Sequence, residues 1–159
     1  MPYQAAILTV SDSCAAGTRN DTSGPAIRAM LENAGFAVQA MQTVPDEEGQ
    51  ISAAIVHACD ILQADLVVTT GGTGLSPRDV TPEATLAVLD REIRAIPVAM
   101  WVEGLKSTPR AMLSRAVAGT RGHTLVLNVP GSEKAARENL GAVVATLDHA
   151  LRMLAGGGH

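Results

Sequence analysis

Gly71-Gly72-Thr73-Gly74 runs into Leu75-Ser76-Pro77-Arg78-Asp79, so a cluster of glycines leads directly to a base and an acid. Successive glycines let a backbone approach a ligand closely and turn several N–H groups inward, which makes a nest for an anion. The same run also suits a plain tight turn at positive φ. It is not a P-loop, because no Gly-Lys-Ser/Thr follows, nor a dinucleotide fingerprint, because Pro77 stands where a third glycine belongs. Val129-Pro130-Gly131-Ser132 forms a second candidate, with Ser132 at the start of a helix. Helix N-termini attract anions through unpaired N–H groups and the macrodipole, although an ordinary capped helix explains the pattern equally well. Two such junctions facing one crevice would suit a ligand with more than one phosphate.

Acids near these loops offer a second kind of chemistry. Carboxylates beside bound phosphates hold Mg²⁺ through one or two oxygens while the phosphates supply further ligands. Asp46, after Pro45, and Asp79, before Val80-Thr81-Pro82, are the candidates, with Asp12 a third. Each is equally a residue type that caps helices or closes turns. Arg78, Arg115 and Lys134 lie on or near the same loops and could neutralise phosphate charge. Ser114 adds a hydroxyl beside Arg115. No Gly-x-Ser-x-Gly elbow exists, so hydrolysis by a serine nucleophile is not indicated.

These loops need a scaffold. Ala5 to Val10 is an apolar run without alternation, as expected of a strand covered on both faces. Ile27, Met30, Leu31 and Ala34 make a helical stripe, capped by Thr22 or Ser23 and stopped at Gly35. Phe36 to Thr43 reads as a second strand. Ile51, Ala54, Ile55, Ala58 and Leu62 lie on one face of a second helix, which Asp46 could cap. Asp65 to Thr70 reads as a β-branched strand, followed by a helix with Thr81 as cap, Pro82 at its first position and Glu83 at the positive end of its dipole. Pro97 and Pro109 bracket a helix containing Trp101 and Leu105. Val117–Thr120 and Thr124–Val129 form a hairpin about Arg121-Gly122, and Leu140, Val143, Val144, Leu147, Leu151 and Leu154 mark a final helix behind Ser132.

Strands alternating with amphipathic helices predict a three-layer α/β/α sandwich with a mainly parallel sheet and a late hairpin. The ligand crevice of such a sheet lies beyond the carboxyl ends of its strands, where the glycine-rich and polar segments fall. The chain of 159 residues reads as one domain, ordered over about residues 4–155 with a flexible tail at 156–159. With 47% apolar residues and a net charge of −4, disorder is excluded and the chain as a whole is no electrostatic match for nucleic acid. Tyr3, Phe36 and Trp101 are too few for base stacking. No apolar run is long enough to cross a membrane, and Met1-Pro2-Tyr3-Gln4 has no basic leader, so a cytoplasmic protein is expected. Cys14, Cys59 and the scattered histidines show no zinc spacing.

The segment Thr69-Thr70-Gly71-Gly72-Thr73-Gly74, followed by Arg78-Asp79-Val80-Thr81-Pro82-Glu83-Ala84-Thr85, resembles the signature of the MoaB/Mog proteins of molybdenum cofactor biosynthesis. Val10-Ser11-Asp12-Ser13, Val44-Pro45-Asp46-Glu47, Ala111-Met112-Leu113-Ser114-Arg115 and Leu127-Asn128-Val129-Pro130-Gly131-Ser132 agree in order and spacing. The resemblance implies a molybdopterin-binding domain, usually a homotrimer, that adenylylates molybdopterin with ATP and Mg²⁺ and releases pyrophosphate. By the same resemblance, Asp46 and Asp79 serve catalysis and the metal. Ser11, Asp12, Gly71, Gly72, Thr73, Gly74, Pro82, Glu83, Ser114, Arg115, Pro130, Gly131, Ser132 and Lys134 are the expected binding residues. Glu133 departs from the pattern, since a proline often follows Pro-Gly-Ser. The product would pass to a molybdenum-insertion protein. The alternative is a MoaB-type protein that binds molybdopterin without adenylylating it.

Overall fold

A computed structural model describes residues 1–158. Its sheet has six strands in the order β2-β1-β3-β6-β5-β4: β1 (Gln4–Val10), β2 (Ala37–Val44), β3 (Leu66–Thr70), β4 (Arg91–Glu92), β5 (Ala118–Arg121) and β6 (Thr124–Val129). β2, β1, β3 and β6 run parallel. β5 pairs antiparallel with β6, and β4 antiparallel with β5. The expected mainly parallel sheet with a late hairpin is therefore present, and the two-residue strand β4 is an addition too short for its sequence to signal.

The helices are α1 (Asp12–Ala15), α2 (Ser23–Asn33), α3 (Glu48–Val56), α4 (Thr81–Leu86), α5 (Ala95–Leu105) and α6 (Glu133–Leu154). They cover both faces of the sheet because its strands are apolar on both sides. Ala5 and Ile7 of β1 enter one core with Ile27, Leu31, Met100, Leu140 and Leu147. Ala6, Leu8 and Val10 enter the other with Ile51, Ile55 and Ala84. The chain leaves β1 for a neighbour on one side and then for β3 on the other, so a switch point of the topology falls between β1 and β3.

Local expectations fail where side chains have other work. Asp12–Ala15 is a short helix rather than a loop, with Ser11 accepting from the Cys14 N–H. Thr22 occupies the capping position of α2 as expected but its side chain makes no cap bond; the Asp21 carboxylate takes the Gly24 N–H at 2.9 Å, and the Ser23 hydroxyl donates to the Gly131 carbonyl. Asp46 precedes the capping position of α3, which Glu47 occupies. Thr81 is the first residue of α4, not its cap, and its hydroxyl donates to the Gly71 carbonyl at 2.9 Å. Pro97 lies within the first turn of α5, and Pro109 opens a 3₁₀ turn, Pro109–Leu113. A π turn over His57–Ile61 ends α3. Gly35, with φ +94°, ends α2 as expected, and Ser132 caps α6 through the Ala135 N–H. At the far end of α6 the Gly156 and Gly157 N–H groups reach Met153 and Arg152 carbonyls, while His159 of the expected tail lies outside the described residues.

Candidate functional site

A cavity of about 810 Å³ opens beyond the carboxyl ends of the parallel strands. Val10 and Ser11 after β1, Asp46 after β2, Thr70 to Gly74 after β3 and Pro130 to Ser132 after β6 all line it. Asp79 and Ser114 line it as well. The loops that sequence separates by scores of residues thus form one wall.

The carbonyls of the glycine loop are tied back into the chain. The Gly71 carbonyl accepts from the Thr81 hydroxyl at 2.9 Å and the Gly72 carbonyl from the Thr81 N–H at 3.1 Å. The Thr73 carbonyl accepts from the Arg115 N–H and the Gly74 carbonyl from Arg115 Nε, both at 2.8 Å. A trans peptide sets its N–H opposite its C=O. Tying back four consecutive carbonyls therefore turns the N–H groups of Gly72, Thr73, Gly74 and Leu75 the other way. Among the described residues none of these N–H groups has an acceptor in the chain. The second loop repeats the device: the Thr70 hydroxyl holds the Pro130 carbonyl at 2.8 Å and the Ser23 hydroxyl holds the Gly131 carbonyl at 2.6 Å. A Cβ on Gly131 would lie 3.2 Å from the Gly71 Cα, so the two loops touch backbone to backbone. Gly71 and Gly72 take φ of +100° and +70°, which glycine adopts without strain.

Asp46 and Asp79 stand beside the nest. A Cβ on Gly72 would approach Asp46 Oδ1 to 3.1 Å, and one on Gly74 would approach Asp79 Oδ2 to 2.9 Å. Burial raises the Asp46 carboxyl above its ordinary value; the Asp12 N–H opposes this, and the charges of Asp12 and Asp79 add to the rise. Asp12 and Asp46 bracket each other, each carboxylate accepting the other's backbone N–H at 2.9 and 3.0 Å. Arg78 clamps Asp12 with two bonds and reaches Glu47 at 2.8 Å, and this holds the Asp12 carboxyl below its ordinary value. Among the described residues no cluster of three or more His, Cys, Asp or Glu could hold a metal by itself. Two carboxylates beside an anion nest do fit Mg²⁺ that arrives with phosphates, the donor set this ion favours.

Other expected binding residues point elsewhere. Asp12, Pro82, Glu83, Arg115 and Lys134 do not line the cavity. Pro82 is buried, Glu83 pairs with Arg115, and the exposed Lys134 approaches Glu138 at 4.0 Å. Arg78 is likewise spent on Asp12 and Glu47. The cations that do line the cavity are Arg19 and Arg110, whose guanidinium groups have no partner among the described residues. Asp21, Glu138 and Asn139 also line it and were not anticipated. Helical spacing from Ser132 could have suggested the α6 residues; nothing local marks Arg19.

A glycine-rich loop with flanking acids stands at the switch point of a doubly wound sheet, the place where α/β domains of this class take their ligands. Over residues 6–149 the chain matches the family described as "Probable molybdopterin binding domain", and it belongs to that family. It is 37% identical over 154 residues to a molybdopterin adenylyltransferase of Helicobacter pylori, covering 94% of this chain and 86% of that one. It is 40% identical over 149 residues to the Drosophila melanogaster molybdenum cofactor synthesis protein cinnamon, covering 93% of this chain. The chain spans only 25% of cinnamon's length. The crystal structure of the molybdopterin biosynthesis enzyme MoaB from Thermus thermophilus superposes with a TM-score of 0.92 at 49% identity, covering 97% of each chain. No helix among the described residues is long and apolar enough to cross a membrane.

Proposed function

We propose that this chain is a molybdopterin adenylyltransferase of molybdenum cofactor biosynthesis. It would act in the cytoplasm on molybdopterin and ATP with Mg²⁺ and pass its product to a molybdenum-insertion protein. The observation that carries the reading is the row of N–H groups from Gly72 to Leu75, freed by their tied-back carbonyls and flanked by Asp46 and Asp79. Likeness to relatives named for this activity supports it.

The terminal phosphate of molybdopterin attacks the α-phosphorus of ATP. A new P–O bond forms, the bond to the β-phosphate breaks, and pyrophosphate leaves. A phosphate oxygen is already ionised near neutrality, so the chain need not supply a strong base. Its contribution is positioning and charge stabilisation. N–H groups of the two nests hold phosphate oxygens in place, Arg19 and Arg110 offset their charge from the cavity walls, and the Ser132 end of α6 adds its dipole. Asp46 and Asp79 would hold Mg²⁺, which neutralises charge on the phosphates when it is bound with them.

The proposed assembly is a homotrimer. Val98, Val102 and Leu105 leave an apolar stripe on α5 that is 48%, 56% and 46% exposed. Burying such a stripe against a second copy is the physical rationale.

The test is pyrophosphate release by purified protein given molybdopterin, ATP and Mg²⁺. Stoichiometric, molybdopterin-dependent release is expected. Tight molybdopterin binding without release would leave a binding protein in place of an enzyme.

A further inference from the structure

Four arginines surround the crevice, and their hydrogen bonds divide them. Arg19 and Arg110 line the cavity without partners among the described residues, whereas Arg78 and Arg115 are already paired with carboxylates of the chain. Arg115 is the more deeply committed. Its backbone N–H donates to the Thr73 carbonyl, its Nε to the Gly74 carbonyl and its Nη2 to the Asp79 carbonyl, each at 2.8 Å. Nη1 reaches both oxygens of Glu83, at 2.8 and 2.9 Å. All three nitrogens of the guanidinium are thus engaged by the chain itself, with Nη1 sharing one proton between the two Glu83 oxygens.

We infer that Arg115 is a positioning residue: it staples both ends of the loop from Thr73 to Asp79, aims the anion nest and Asp79 at the same point, and carries no phosphate. Holding the Thr73 and Gly74 carbonyls turns the Gly74 and Leu75 N–H groups outward, because the peptides are trans. Holding the Asp79 carbonyl fixes the backbone from which the carboxylate projects, and the Ser76 N–H at 3.0 Å from Asp79 Oδ2 fixes the carboxylate itself. Glu83 balances the guanidinium charge on the side away from the cavity. A planar fork can serve two carbonyls and a carboxylate at once, whereas an ammonium acts as a point charge and cannot match that geometry. The role deepens the adenylyl-transfer reading and rests on it for its catalytic consequence.

Arg115→Lys and Glu83→Gln test it, with three readouts on the full chain: steady-state pyrophosphate release, ATP affinity by calorimetry, and amide hydrogen exchange. Arg115→Lys is expected to lower kcat on the order of 10- to 100-fold, the range a misplacement near 1 Å produces. KM values and ATP affinity weaken by no more than a few-fold, because the slackened nest keeps its N–H groups and no contact between the guanidinium and phosphate is lost. The Ser76 and Asp79 amides exchange faster, while the Val67 and Val68 amides of β3 keep their protection. Glu83→Gln shifts the same quantities in the same directions by less. A loss of ATP affinity of about tenfold or more in Arg115→Lys overturns the inference, as that is the mark of a direct phosphate contact. Unchanged exchange at Ser76 and Asp79 overturns it too. Should the unaltered protein release no pyrophosphate, adenylyl transfer fails, and exchange with ATP affinity still decides the role of Arg115.

Discussion

Gly72→Ala should damage stability and activity together, and its magnitude follows from the surroundings of the missing Cβ. Gly72 has φ +70°, where an L side chain costs about 1–2 kcal/mol. The new methyl would collide with the Thr81 hydroxyl and come within 3.1 Å of Asp46 Oδ1. Thr81 is fully buried and its hydroxyl holds the Gly71 carbonyl, so moving it sacrifices a buried hydrogen bond worth about 1 kcal/mol. The sum is a loss of about 2–3 kcal/mol, or roughly 4–12 °C in Tm for a chain of this size. Gly122→Ala supplies the control. Its φ is +56°, yet nothing lies within 4 Å of the added Cβ, so only the backbone cost of about 1–2 kcal/mol applies. Urea unfolding of both variants reads the difference, and pyrophosphate release below the unfolding range reads the displaced Asp46. Gly72→Ala should lose most of its turnover and Gly122→Ala none. Equal destabilisation of the two, or full activity in Gly72→Ala, would refute the packing of Asp46 and Thr81 against the glycine loop.

Further outcomes follow from individual side chains. Asp79→Ala should retain the fold, as judged by circular dichroism, and lower the rate of pyrophosphate release by about 10²–10³, the scale of losing one preorganised group. Arg19→Ala and Arg110→Ala should each raise KM for a phosphorylated substrate with a smaller effect on kcat, in contrast to Arg115→Lys; steady-state kinetics on the three variants separate the roles. Arg121 donates to both oxygens of Asp60, at 3.1 and 2.7 Å, and this holds the Asp60 carboxyl below its ordinary value. The folded state therefore gains stability from Asp60 at pH values above the ordinary carboxylate range and loses it as pH falls through the depressed value. Denaturant midpoints of the natural protein and Asp60→Asn should converge as the pH is lowered through that window.

The scaffold was legible because its signals are local. An unalternating Ala5–Val10 run, the stripe from Ile27 to Ala34 and the repeat from Leu140 to Leu154 each state which faces are covered, and the sheet with helices on both sides follows. The glycine loop and Pro130-Gly131-Ser132 were legible for the same reason, since strand ends in an open α/β sheet meet in one crevice. Caps were less legible. Thr81 and Ser23 have the composition of caps, but their hydroxyls are drawn off to the Gly71 and Gly131 carbonyls, contacts made across the fold. The arginines show the limit most clearly. Arg78 and Arg115 lie in the motif yet pair with groups of the chain itself, whereas Arg110, just before the Ala111–Arg115 segment, and Arg19, which no local pattern marks, line the cavity. Charge near a motif in sequence does not say which way a guanidinium faces; that depends on carbonyls and carboxylates brought up by other elements.

In the proposed reaction this crevice joins the α-phosphate of ATP to molybdopterin. Incubating the protein with molybdopterin, Mg²⁺ and ATP labelled at the α-phosphorus, then separating the pterin products, tests it most directly. The label should appear in adenylyl-molybdopterin in step with pyrophosphate, and its transfer should collapse in Asp79→Ala. Bound but unlabelled molybdopterin, with the label retained in ATP, would contradict the claim.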